Sequence, residues 1–222
     1  VRGKHYLLLT FLPVCLTGND LDAVSHLKAV LSWEGAQAPN WGDARLEYAP
    51  LDTPIQSQTL NPHQSPEKGF SSYPAGYLIV TSPFLAVNPS LTAFVTWKRE
   101  RGFNVEVATT DMIGGDSTSI KSYIAYSYQY GEAPLDFVLL VGDTGIVPYF
   151  LGEGTGEPPT DLYYATVDGP EYNTPDVALG RLPVNTDDQL ANAIAKILSY
   201  EQGVWAAAPG WETSASFMTG ND

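Results

Sequence analysis

The side chains with the chemistry to act on a ligand are carboxylates, and they gather in the second half of the chain. Asp143 ends the run Asp136 to Gly145, DFVLLVGDTG. Asp161 opens DLYYATVDG, and Asp168, Glu171 and Asp176 follow among Gly, Asn and Pro. Flexible acidic loops of this kind supply the oxygens that a hard divalent ion such as calcium takes from acids, backbone carbonyls and water. The spacing is not that of an EF-hand, and a solvated acidic loop is the other reading of the same residues. Asp143 has two readings as well: a group at the ligand-binding end of a strand, or the cap of a turn or helix.

Thiol and imidazole chemistry has little support. The histidines, His5, His26 and His63, all lie in the N-terminal third, and His26 reads as a helix-surface residue. The single cysteine, Cys15, sits in an apolar run. A reactive thiol needs an accessible, electropositive setting, whereas Cys15 has the features of a small buried hydrophobe. With one cysteine no intrachain disulfide can form, and no close Cys/His set offers a zinc site.

The elements that must position the carboxylates can be read from periodicity. Phe137 to Val141 is continuously apolar, as in a strand covered on both faces of a parallel sheet. Tyr77 to Thr81 reads as a shorter apolar strand. Asn88 caps a helix to Arg101 with Pro89 in its first turn and Leu91, Phe94, Val95 and Trp97 inward. Phe103 to Ala108 alternates and so belongs near a sheet edge; Ser117 to Tyr130 is a second helix, with Ile120, Tyr123 and Ile124 inward. A strand over Val177 to Arg181 and a helix over Thr186 to Tyr200 come next, with Asp187 and Asp188 at the helix's positive end. Thr213 to Thr219 reads as a last strand. This alternation predicts a doubly wound, mainly parallel α/β sheet with right-handed crossovers.

Upstream the pattern is different. Residues 1–35 read as a strand and an amphipathic helix, capped by Asn19 or Asp20, with Leu21, Val24, Leu27, Val30 and Leu31 on one face. Tyr6 to Leu16 also has the length and basic flank of a signal-peptide core. HYLLLT near the start echoes GYLIVT at 76–81, as similar strand-to-helix packing or as a duplication. Residues 36–74 are a Pro-rich linker or extended arm, and residues 75–222 form the α/β domain.

Composition bounds the partners. The 222 residues carry 11 Lys and Arg against 25 Asp and Glu, a formal charge of -14. That surface disfavours a phosphate backbone, so no nucleic acid partner is expected. No apolar run is long enough to span a membrane.

Taken in order, YLIVT, WKRERGFNVEVATT, FVLLVGD, TDLYYATVDG and DVALGRLPVNTDDQL, with a helix running to SYEQ, resemble the first half of the catalytic domain of gingipain-type cysteine peptidases. The resemblance covers about residues 76–222; residues 1–75 would stand in the place of a propeptide or preceding region. It implies a caspase-like fold, secretion or a cell-surface location, and cleavage of protein or peptide substrates by a cysteine thiolate with a histidine. In that family both residues come from strand ends beyond the position of Asp222, so this chain is expected to lack them and to be inactive alone. It also implies calcium held by Asp143, Glu171 and Asp176, with Asp168 giving a backbone carbonyl. Asp222, or Asn221, matches the acid that orients the catalytic histidine, although a loop aspartate is the competing reading. Partners would be the missing C-terminal half or neighbouring subunits. A different class of function is a non-catalytic extracellular assembly protein, with the N-terminal strand and Pro-rich arm engaging a neighbour.

Overall fold

The computed structural model describes residues 14–17, 20–23, 74–154, 156–168, 174–203 and 217. They belong to two compact units, Val1–Arg45 and Leu46–Asp222. In the first, β1 (Val14–Thr17) pairs antiparallel with β2 (Asp20–Ala23). The helical spacing from Leu21 is therefore overruled at its start. Thr17 pairs with Asp20, which leaves Gly18 and Asn19 between the paired ends. A Gly-Asn dipeptide is a two-residue hairpin signal, and strand pairing outweighs a short amphipathic pattern. The rest of that expected helix, and the echo at HYLLLT, lie outside the described residues.

The second unit is built on β3 (Gly76–Thr81), β4 (Asn104–Thr109), β5 (Leu135–Val141) and β8 (Ala178–Leu182), in the order β4-β3-β5-β8 and parallel throughout. Alternation in FNVEVA fits its place, because β4 is an edge strand of this sheet. The interior strands lose water on both faces. Leu78, Val80, Val138 and Leu140 pack with Ile120 and Ile124 from the helix Ser117–Tyr130. On the other face Ile79, Leu139 and Val141 meet Leu91 and Phe94 from the helix Pro89–Glu100 and Leu190 and Ile194 from the helix Asp187–Glu201. Each such buried aliphatic side chain contributes about 1.5–3 kcal/mol of transfer free energy, which is why these apolar runs settle as central strands.

With two four-residue helices between them, the helices number in chain order α1 (Pro83–Ala86), α2 (Pro89–Glu100), α3 (Thr110–Ile113) and α4 (Ser117–Tyr130). A further short helix, α5 (Leu162–Ala165), and α6 (Asp187–Glu201) follow. Starts are fixed by side chains. Asn88 accepts from Ser90 N at 2.8 Å, Asp116 from Ser119 N at 2.9 Å, and Thr186 from Gln189 N at 3.3 Å. Each satisfies a backbone donor that the first helical turn leaves free.

In the second half the structure adds elements to one stretch. The Gly- and Pro-rich stretch after β5 holds a small antiparallel pair, β6 (Phe150–Leu151) with β7 (Pro159–Thr160), as well as α5. The strand expected at 213–219 lies outside the described residues except at Phe217, which is exposed and in no strand.

Candidate functional site

Topology picks the place before any side chain does. From β3 the chain crosses to β4 on one side, whereas β5 and then β8 lie on the other. The two crossovers therefore leave a crevice beyond the carboxyl ends of β3 and β5, the switch point at which open α/β sheets bind ligands. Thr81 closes the floor of that crevice by donating its buried hydroxyl to Val141 O at 2.9 Å. Gly142 and Asp143 come immediately after.

Gly142 makes the turn possible. Its φ is +141°, and a Cβ there would stand 2.6 Å from Ile146 Cγ2, so the tight path out of β5 excludes a side chain. Its N–H donates to Leu182 O at 2.9 Å, and Asp143 N–H donates to Val184 O at 3.0 Å, which carries the sheet one step further on this side. Asp143 then turns its carboxylate to Thr144 N at 2.8 Å and Asn185 Nδ2 at 3.1 Å. The Asn185 amide, the Thr144 N–H and the positive Arg181 nearby hold its pKa below the usual carboxylate value. Asp143 is thus an ionised, oriented acid at the crevice.

Arg181, from β8, ties this edge together. Its guanidinium forks onto Asp161, with Nε to Oδ2 and Nη2 to Oδ1 both at 2.7 Å. Nη1 reaches Gly142 O and Val147 O at 2.8 Å each, and Nη2 also reaches Pro148 O at 3.4 Å. Tyr164, fully buried, donates its hydroxyl to the same Pro148 carbonyl at 2.6 Å. Burial pushes that phenol's pKa upward, so it remains a donor at any ordinary pH.

The acids expected to act together divide into two settings. Asp176, buried, accepts on Oδ2 from Val167 N at 2.8 Å and Asp168 N at 3.1 Å, which brings Asp168 and Asp176 side by side. Tyr128 donates to Asp168 Oδ2 at 3.4 Å, and Lys121, packed over the Tyr163 ring, feels the charge of Asp176. Asp143 has its own separate partners, Asn185 and Thr144. Among the described residues no three His, Cys, Asp or Glu side chains stand close enough to hold a metal ion. Hard oxygen donors of the right type are present, but the described acids alone do not complete a calcium site. Glu171, Asn221 and Asp222 lie outside the described residues, as do His5, His26 and His63. Cys15 is on β1, in the other unit.

Composition and spacing do not single out Arg181 or Asn185 as site residues. ALGRL reads as an ordinary alternating strand, and the partner acid of its arginine comes 20 residues earlier. The joint presence of DLYY and ALGR is the available signal, because each supplies one half of the fork.

Comparison with known proteins bears on this geometry. Residues 70–222 match peptidase family C25. Lys-gingipain of Porphyromonas gingivalis is 29% identical over 214 residues, which is 91% of this chain and 12% of that protein. Gingipain R2 of the same organism is 28% identical over 113 residues, 50% of this chain and 15% of that protein. A solved structure described as "Structure of Protease" superposes with a TM-score of 0.55 at 33% identity, covering 60% of this chain and 30% of the other. The chain therefore spans only a small part of the curated relatives it matches.

Proposed function

Because the chain belongs to peptidase family C25, we propose that it forms the first half of the catalytic domain of a secreted or surface gingipain-like cysteine endopeptidase acting on protein or peptide substrates. The observation that supports this reading is the coincidence of the family match at 70–222 with the switch-point crevice at the end of β5. On this reading the nucleophilic cysteine and the histidine base lie outside residues 1–222, and Asp222 is the orienting acid of the triad. The chain then supplies the crevice floor and wall but not the thiolate. Among the described residues no helix is long and apolar enough to cross a membrane.

The test compares two preparations against an unstructured protein substrate: this chain alone, and the natural polypeptide in which it occurs. The chain alone should be inert, and the natural polypeptide should cleave and be stopped by a thiol-alkylating reagent. Cleavage by the chain alone that persists in Cys15→Ser, or cleavage indifferent to alkylation, would overturn the assignment. Inactivity of both would leave the non-catalytic assembly protein as the better reading.

Calcium is part of the same proposal. On this reading Asp143, Glu171 and Asp176, with a backbone carbonyl from Asp168, would supply the oxygen ligands, and the ion would have to draw the separate Asp143 and Asp176 settings together. An ion bound only by the folded chain raises its melting temperature, so a chelator should lower it and added calcium restore it. An unchanged melting curve would remove the ion.

A further inference from the structure

Arg181 is more fully engaged than a strand residue needs to be. An arginine has five N–H donors, and here all five have acceptors within the chain. Two go to Asp161, and three go to the carbonyls of Gly142, Val147 and Pro148. None is left for a substrate carboxylate, so recognition of an acidic side chain is not its role. What the guanidinium does instead is collect the inward-facing carbonyls of one loop, residues 142–148, that leaves β5 at the switch point. The same loop is fixed by its own N–H groups: Ile146 and Val147 both donate to Asp143 O, at 2.8 and 2.9 Å. Among the described residues its outer side is bare. Thr144 and Gly145 are exposed, and a Cβ built on Gly145 meets nothing within 4 Å. A loop immobilised from within and open without is preorganised, since it gives up no further chain entropy when a ligand settles against it.

We propose that Arg181, with Asp161 as its counter-charge, is a positioning residue of the substrate crevice, presetting the 142–148 loop so that the Thr144–Gly145 tip is a wall against which an extended substrate peptide lies. This rests on the peptidase reading above. Asp161 completes the device by neutralising a guanidinium that is largely removed from water, with side-chain exposures of 13% for Arg181 and 28% for Asp161. Lysine could not replace arginine here, because one ammonium cannot fork onto a carboxylate and span the carbonyls as well.

Two measurements decide the matter. Amide hydrogen exchange on the chain should show Ile146 and Val147 exchanging at least about tenfold faster in Arg181→Met than in wild type through local opening that low urea does not accelerate, with β3 amides, which open globally, changing only by the variant's overall loss of stability and Arg181→Lys in between. Loop amides that merely follow the β3 amides, or no change in the loop, would refute the positioning role. In the natural polypeptide, Gly145→Phe should leave the melting temperature alone, because its side chain enters open space, and should raise KM for peptide cleavage about tenfold with the loss falling on KM and not on kcat. An unchanged KM would refute the wall. If no preparation cleaves peptides, the family-based function fails, and the exchange experiment still decides whether Arg181 sets the loop.

Discussion

A guanidinium taken largely out of water costs free energy that only a full set of partners can offset, and at Arg181 the offset is concentrated on Asp161. Removing one member strands the other. Arg181→Met should therefore lower stability by about 2–3 kcal/mol, between the values for exposed and fully buried pairs, as read by urea denaturation. A loss below about 0.5 kcal/mol would mean that water replaces the fork without penalty. Asp143 provides the pH-dependent counterpart. Its carboxyl is depressed below the ordinary 3.8 chiefly by the Asn185 amide, so its contribution to stability is present above that value and disappears as pH falls through the lower, folded pKa. Asn185→Leu should shift the Asp143 carboxyl titration upward, followed by NMR of the side-chain carboxyl carbon; an unmoved titration would assign the effect to Thr144 and Arg181 instead. At this scale the sequence is uneven in what it discloses. Asp143 is visible because an apolar run ends on it, whereas Arg181 is not, because its meaning lies in carbonyls 33 to 39 residues away along the chain.

Elements proved legible where one local rule dominates. The sequence Thr186, Asp187, Asp188, Gln189 announces a helix start, and α6 begins there. Thr186 accepts from Gln189 N, and Gln189 Oε1 reaches back to Asn185 N at 2.7 Å, close to the reciprocal pattern of a capping box. Thr186→Ala should cost about 1 kcal/mol in thermal or urea unfolding, and Thr186→Ser should recover most of it. Equal losses in both variants would show that the hydroxyl is not the operative group. The far end of α6 is fastened by tertiary contacts that no local rule foretells: Glu201 accepts from Trp97 Nε1 at 2.8 Å and from Lys98 Nζ at 2.6 Å on α2. Where two rules compete, the reading fails. At Asp20–Ala23 helical spacing points one way and the turn signal of the Gly-Asn dipeptide in the sequence the other, and the pairing with β1 decides it.

For the α/β unit as a whole, the sheet is a shared wall between two apolar cores, one under α4 and the other under α2 and α6. Alternate residues of β5 serve opposite sides, Val138 and Leu140 one core and Leu139 and Val141 the other. Neither core can loosen without exposing part of every interior strand, so the unit should unfold in a single transition. Ile124 and Ile194 lie on opposite sides of that wall and belong to different clusters. Ile124→Val and Ile194→Val should each cost about 0.5–1.5 kcal/mol, and the double variant should lose the sum within about 0.5 kcal/mol. Urea unfolding followed by both fluorescence and circular dichroism tests this. Separate transitions by the two probes, or a double-variant loss far from the sum, would mean that the sheet bends to relay strain from one face to the other. In that event the crevice at its carboxyl edge would not be a fixed frame, and the rigidity required of the 142–148 loop would have to come from the Arg181 fork alone.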